Sequence, residues 1–237
     1  MKRDPAVAAL VAAASAPYRA AGRFAWHFAR GKLRFDPVFT AILARGLLSG
    51  RARILDLGCG QGLLAAWLLA ANAAYRAGHW PQDWPPPPAP ERLAGIEINP
   101  REVARAHVAL GNRAHIVQGD ICRVDYGPAD AIVILDVLHF IDSASQEAVL
   151  RHARAALTAR GMLLLRVGDA AAGAGFTLSR LVDGVVALVR RRRLVRLACR
   201  PALEWRALLA GHGFSTEALP MSAGTPFSNV LLVGRLE

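Results

Sequence analysis

Acidic residues are in deficit in this chain, lysine is almost missing, and cysteine is rare and scattered. Eighteen Asp and Glu face 29 Lys and Arg, and only two of those 29, Lys2 and Lys32, are lysines. The formal charge of +11 favours anionic partners over cationic ones. The three cysteines, Cys59, Cys122 and Cys199, include no CxxC pair. That excludes a disulfide framework and a structural zinc ribbon, and it fits a reducing compartment. No apolar run reaches the length of a membrane span; the best, residues 178–189, is interrupted by Arg180 and Asp183. A secretory leader is imitated by Lys2-Arg3, the alanine-rich stretch 6–14 and Ala14-Ser15-Ala16. Asp4-Pro5 interrupts it, and alanine is weakly hydrophobic, so residues 1–16 read as an N-terminal helix. The expected location is the cytoplasm.

The positive charge is unevenly spread. Residues 1–53 carry +8 and residues 151–200 carry +9, whereas residues 54–150 carry −5. An acidic middle fits a cationic cofactor, and basic flanks fit an acidic partner or substrate. At 237 residues the chain can bury one good core with a small cap. The middle opens on Ile-Leu-Asp-Leu-Gly-Cys-Gly-Gln-Gly at 54–62. A short apolar run, 53–57, has the length of a buried parallel strand, and 63–71 is an apolar helix former reaching to about Arg76. Strand, glycine turn and helix make a nucleotide-binding unit, because glycines let a ligand approach the backbone and the helix start offers free N–H groups. The dinucleotide fingerprint Gly-x-Gly-x-x-Gly is not met, since the third glycine comes one residue early, at Gly62.

The rest of the chain follows in α/β order. A helical N-terminal extension covers 1–50. In it Phe24, Trp26, His27 and Phe28 sit among arginines that either cover a substrate entrance or leave the aromatics packed on the domain. Asp36-Pro37 starts a helix through 38–48. Residues 78–90, with four consecutive prolines, form a surface insertion of polyproline character. A second strand over 93–98 delivers Glu97 to its end, placed to accept hydrogen bonds from both hydroxyls of a ribose, and Asn99-Pro100 begins the next helix. A third strand over 115–118 leads into Gly119-Asp120-Ile121, where Asp120 is either a ligand-side acceptor or a turn residue. A fourth over 131–135 leads into Asp136-Val-Leu-His139. Ser143 and Gln146 suit a capping box on a helix to Ala159, ended by Arg160-Gly161. Strand five is 162–167. A small-residue loop at 170–175 and a helix at 177–200, ending in arginines at 190–193, form a cap. A helix at 202–211 and strands at 214–219 and 230–235 complete the pattern. The turn 220–229 brings Ser222, Thr225 and Phe227 toward the ligand side.

With Asp56-x-Gly58-x-Gly60-x-Gly62, Glu97, Gly119-Asp120-Ile121 and Asp136-Val-Leu-His139 in this order, the chain resembles the class I S-adenosylmethionine (SAM) methyltransferases from Ile54 to about Val167. The resemblance implies a Rossmann-like, doubly wound α/β sheet of seven strands in order 3-2-1-4-5-7-6, strand seven antiparallel, forming one domain over 51–237. It also implies SAM as cofactor, S-adenosylhomocysteine as product, and a cofactor set of Asp56, Gly58, Cys59, Gly60, Gly62, Glu97, Ile98, Asp120, Ile121 and Asp136. Asp120 would accept from the adenine amino group and Ile121 would line the ring.

His139 is the candidate base for an acceptor proton, with a packed histidine as its alternative. His27, Thr225 and Phe227 are candidate acceptor contacts. Asp136 and Asp169 could share a divalent cation, but no third ligand is evident, and no metal is expected. The chain lacks the polar-Pro-Pro-aromatic motif of amino-group methyltransferases and the Pro-Cys of cytosine C5 enzymes. Gly31–Pro37, 165–172 and 220–227 resemble bacterial methyltransferases of aryl polyene pigment pathways. That narrower resemblance implies a phenolic acceptor, carried in one version by an acidic acyl carrier protein. An RNA methyltransferase and a non-catalytic SAM-binding module are the alternatives.

Overall fold

The computed structural model describes residues 4–168, 198–222 and 228–237. Thr225, Phe227, Asp169 and the cap at 170–197, with its arginines at 190–193, lie outside the described residues. The chain divides into two compact units, Met1–Val124 and Asp125–Glu237.

The first unit begins with three helices, α1 (Pro5–Ser15), α2 (Arg23–Phe35) and α3 (Pro37–Ala44). Asp4 caps α1 and Asp36 caps α3, each accepting from the backbone N–H two residues on, with proline at the first helical position. Helix α3 stops at Ala44, short of the expected Leu48, and Gly46 then turns at φ +60°. Strand β1 (Arg53–Leu57) leads through the glycine turn into α4 (Leu63–Arg76). Trp67 of α4 is fully buried, its ring edge against Phe39 and its indole N–H donating to the Phe39 carbonyl at 2.8 Å. Helix α1 packs on α2 and α4 through a face that includes Leu10, Val11 and Ala14. Strand β2 (Arg92–Glu97), helix α5 (Pro100–Leu110) and strand β3 (His115–Gln118) complete this unit, with β1, β2 and β3 parallel.

The proline insertion is neither helix nor strand, as its composition requires, and it packs on its unit. Pro87 and Pro88 are buried; Ser49 donates to the Pro86 carbonyl, Asn72 to Pro88 and the Trp80 indole to Pro85.

In the second unit β4 (Ala129–Leu135) pairs in parallel with β5 (Leu157–Gly168), and β7 (Asn229–Leu236) runs antiparallel to both β5 and β6 (Phe214–Pro220). Ala131, Ile132, Val133 and Ile134 are all fully buried, as in a strand covered on both faces. Helix α6 (Ser143–Ala156) buries Val149, Leu150 and Ala153, and helix α7 (Ala202–Gly211) packs Trp205 and Leu209 beside β6 and β7. The strand order is β3-β2-β1-β4-β5-β7-β6, as expected.

Three expectations at α6 are corrected. Asp142, not Ser143, is the N-cap: its Oδ1 accepts from the Ser145 N–H at 2.8 Å, and that bond holds its carboxyl below the ordinary range. Gln146 does not close a capping box, because its amide is committed to carbonyls elsewhere. The helix also ends at Ala156 rather than Ala159. Leu157 already pairs with Ala129, and Arg160 takes a left-handed φ of +60° within the register shift.

Candidate functional site

In the first unit the glycine turn is built by the end of β2. The Gly58 and Cys59 N–H groups both donate to the Ile96 carbonyl, at 2.8 and 3.2 Å. Gly58, Gly60 and Gly62 have φ of +72°, +57° and +79°, a region that only glycine enters cheaply. The needs at Gly62 and Gly60 differ. A Cβ at Gly62 would stand 2.6 Å from Leu110 Cδ1, so Gly62 lets α5 close on the turn. A Cβ at Gly60 would meet nothing within 4 Å, so that side of the turn faces open space.

Glu97 is 4% exposed and locks the turn to the start of the α5 connection. Its Oε2 accepts from the Gly60 N–H at 3.0 Å and its Oε1 from the Asn99 N–H at 2.8 Å. Asp56 is buried beside it. Desolvation, then the Glu97 charge, pushes the Asp56 carboxyl from 3.8 up to about 7. Cys59 is also buried. Desolvation, and after it the charges of Asp56, Glu97 and Glu102, raise its thiol well above the ordinary value. Glu102, on the first turn of α5, is 4% exposed; its Oε1 pairs with Arg105 at 2.8 Å and its Oε2 has no donor among the described residues.

Asp120 follows Gly119, whose N–H donates to the Glu97 carbonyl. Its Oδ1 accepts from the Cys122 N–H at 2.9 Å, and Oδ2 lies 3.7 Å from Arg123 Nε, with the side chain 39% exposed. The carboxylate therefore shapes its own turn while remaining accessible. Ile121 is buried and Ile98 is 52% exposed. His27 is exposed on α2, its ring 4.5 Å from that of Trp26.

Two contributors to the turn went unnoticed in the sequence. Tyr18, fully buried, donates its hydroxyl to the Gln61 carbonyl at 2.8 Å, and burial pushes its phenol strongly up. Gln61, 1% exposed, donates from Nε2 to the Ala25 carbonyl at 2.9 Å. One loop residue is thus tied to the N-terminal segment at two points. A polar residue between two loop glycines was the available signal; its partners, 43 and 36 residues away, were not readable.

In the second unit Asp136 sits just past β4 with φ +58°, a left-handed conformation that aspartate tolerates better than most residues. Both its carboxylate oxygens are engaged by the guanidinium of Arg166, which is 1% exposed on β5. A lone arginine inside the apolar strand was the missed signal for this pair. Among the described residues, no group of three or more His, Cys, Asp or Glu is placed to hold a metal ion.

His139 lies on a short 3-10 turn, Leu138–Phe140, with its ring 4.1 Å from Phe140. Its carbonyl accepts from the Ala198 N–H at 3.1 Å. Gln146, fully buried, donates to the carbonyls of Leu138 and Ala198 at 3.0 and 2.7 Å and accepts from Arg200 Nε at 2.9 Å. The turn that carries His139 is thereby stitched to residues 198–200.

Residues 55–163 match the family model described as a methyltransferase domain. The match takes in just under half of the chain. The carboxy-S-adenosyl-L-methionine synthase of Chromohalobacter salexigens is 35% identical over 129 residues, 52% of this chain and 43% of that protein. The chain thus aligns with less than half the length of this curated relative. Among solved structures, the magnesium protoporphyrin IX methyltransferase of Synechocystis PCC 6803, with bound SAH, has a TM-score of 0.60 at 20% identity, covering 94% of each chain. An O-methyltransferase family protein of Burkholderia thailandensis has a TM-score of 0.62 at 17% identity, covering 88% of this chain and 57% of its own. These likenesses establish the methyltransferase fold. With the domain match they support the class I SAM-dependent superfamily.

Proposed function

We propose that the chain binds SAM at the glycine turn and transfers its methyl group to a small aromatic, phenolic acceptor. One observation carries the cofactor reading: three acidic side chains, Asp56, Glu97 and Glu102, are buried around a turn whose Gly60 faces open space. An anionic dinucleotide would be repelled there, whereas a sulfonium with an α-ammonium group is attracted. The Glu102 oxygen without a donor fits the same kind of ligand.

When bound, SAM supplies a methyl group already activated on a positively charged sulfur. Glu97 accepts the ribose hydroxyls, since a carboxylate oxygen that holds one N–H can accept another donor. The backbone of Gly58, Cys59, Gly60 and Gly62 lines the amino-acid end, with Asp56 beneath it. Ile98, Asp120 and Ile121 take the adenine, and Asp136 holds its turn through Arg166. His139 takes the phenolic proton, and His27, Thr225 and Phe227 contact the acceptor. The roles follow a division into a helical extension, 1–50, and a catalytic domain, 51–237. An acyl carrier protein bearing the acceptor, an aryl polyene type of pathway and a cytoplasmic location belong to the same reading.

Calorimetry with SAM, SAH and NAD tests the cofactor; no heat with SAM or SAH ends the reading. Labelled SAM with phenolic acids, free and carrier-bound, tests the acceptor. Transfer to RNA instead would favour a nucleic-acid enzyme, and binding without transfer a non-catalytic module. The 35% identical stretch shared with the carboxy-SAM synthase favours one second reading, in which SAM itself is modified. A carboxylated cofactor in the mass spectrum of the reaction would establish it.

A further inference from the structure

His27 apart, helix α2 carries a surface that the proposed chemistry does not use. Its 13 residues include Arg23, Arg30, Lys32 and Arg34, four aromatic side chains and no acidic residue. Ala25, Ala29 and Leu33, spaced by four, are its buried face. Arg23, Arg30 and Arg34 recur at helical spacing on the outer side and are all exposed. Next to them run Phe24, Phe28 and Phe35. Phe24 is 59% exposed and Phe35 62%, two of the few large apolar side chains so exposed among the described residues. Phe24 stacks on Phe28 with ring centres 6.1 Å apart and has the Arg105 guanidinium 4.9 Å away; the Arg34 guanidinium lies 5.5 Å from Phe35. Lys32 is paired with Asp36, so the arginines are the exposed charge.

We propose that α2 docks on an anionic membrane surface, lying in its plane with Phe24 and Phe35 inserted among the acyl chains and Arg23, Arg30 and Arg34 on the headgroup phosphates. A helix with aromatics along one side and arginines beside them has the pattern of an interfacial helix. Phe24 and Phe35 are about 16 Å apart along the axis. A fluid apolar layer receives both at once; a protein partner would need two pockets at that spacing. The chain's charge of +11 supplies the long-range attraction to such a surface. This docking is independent of the cofactor reading, because it is measured without cofactor.

The test is co-sedimentation of the full chain with phosphatidylcholine vesicles, plain or containing about one-third phosphatidylglycerol. The expected result is binding about tenfold or more tighter with the anionic lipid, weakened by high salt. The double variant Phe24→Ser/Phe35→Ser should lose about tenfold or more of that binding, and Arg23→Gln/Arg34→Gln several-fold. All four positions are exposed, so melting temperatures should be unchanged, and a melt on each variant separates lost docking from lost folding. Equal binding to both vesicle types overturns the proposal, as does unchanged binding by the phenylalanine variant. Capture by an acidic carrier protein through these residues, with no vesicle binding, overturns it too.

Discussion

Replacing Asp56 with asparagine isolates one charge in the glycine turn. Burial, then Glu97, moves the Asp56 carboxyl from 3.8 to about 7 in the folded chain. The unfolded chain therefore releases this proton near pH 4, while the folded chain keeps it until about pH 7. Over that window the folded state holds more protons than the unfolded one. This group's contribution to stability is therefore full below about pH 4, falls as pH rises to about 7, and is level above that. Three units at about 1.4 kcal/mol each set a ceiling near 4 kcal/mol, and relaxation of the site leaves on the order of 2–3 kcal/mol. An asparagine side chain has no proton to release over this range. The stability difference between D56N and the parent should thus shift by about 2–3 kcal/mol in the variant's favour between about pH 4.5 and pH 8. Urea unfolding without cofactor across that range measures it, and subtracting the two curves cancels the other titrating groups. A difference that stays constant with pH, or drifts in the parent's favour, refutes the argument. Above about pH 7, where Asp56 is charged, the same variant should bind SAM more weakly, since the negative charge that attracts the sulfonium is gone.

Glu97→Ala removes the acceptor for the Gly60 and Asn99 N–H groups. It should weaken SAM binding by about 1.5–3 kcal/mol, and calorimetry showing an unchanged Kd would take Glu97 out of the site. Gly60→Ala and Gly62→Ala form a contrast. Both force a left-handed alanine, costing about 1–2 kcal/mol, but only the methyl added by Gly62→Ala also meets Leu110. Thermal melts should place Gly62→Ala as the less stable, while Gly60→Ala, with space above it, should fold and lose SAM affinity by filling the ligand's approach. Asp136→Ala takes both carboxylate oxygens from the buried Arg166 guanidinium and should cost up to about 3–5 kcal/mol by denaturant titration. The accompanying change Arg166→Met should restore a good part of it.

The sheet was legible where hydrophobic runs abut punctuation. Residues 53–57 run into glycines and the buried run in β4 into Asp136, so strand ends and the residues they deliver could be named. Asp36-Pro37 was legible for the same reason, a cap and its first helical residue side by side. At Asp142-Ser143 two adjacent residues can both cap, and sequence alone does not choose between them. Residues 157–160 favour helix locally, yet Leu157 pairs with Ala129 and the strand wins, a tertiary override of propensity. In the candidate site, the backbone turn and Glu97 were readable because local spacing sets them. Tyr18, Gln61 and Arg166 were not, because each gains its meaning from a partner at least 30 residues away.

The insertion between α4 and β2 is the longest irregular connection of the first unit, yet its ordering is inexpensive. A proline run explores little conformational space even before folding, so fixing it forfeits less entropy than fixing an ordinary loop of that length. Its carbonyls are held by Ser49, Asn72 and Trp80, and Trp80 and Trp84 meet edge to face at 5.6 Å. Trp26, Trp67 and Trp205 emit as well, so subtracting a Trp80→Phe/Trp84→Phe variant from the parent isolates the connection's own fluorescence. During gradual denaturation, its emission should change together with loss of the neighbouring helices rather than ahead of them.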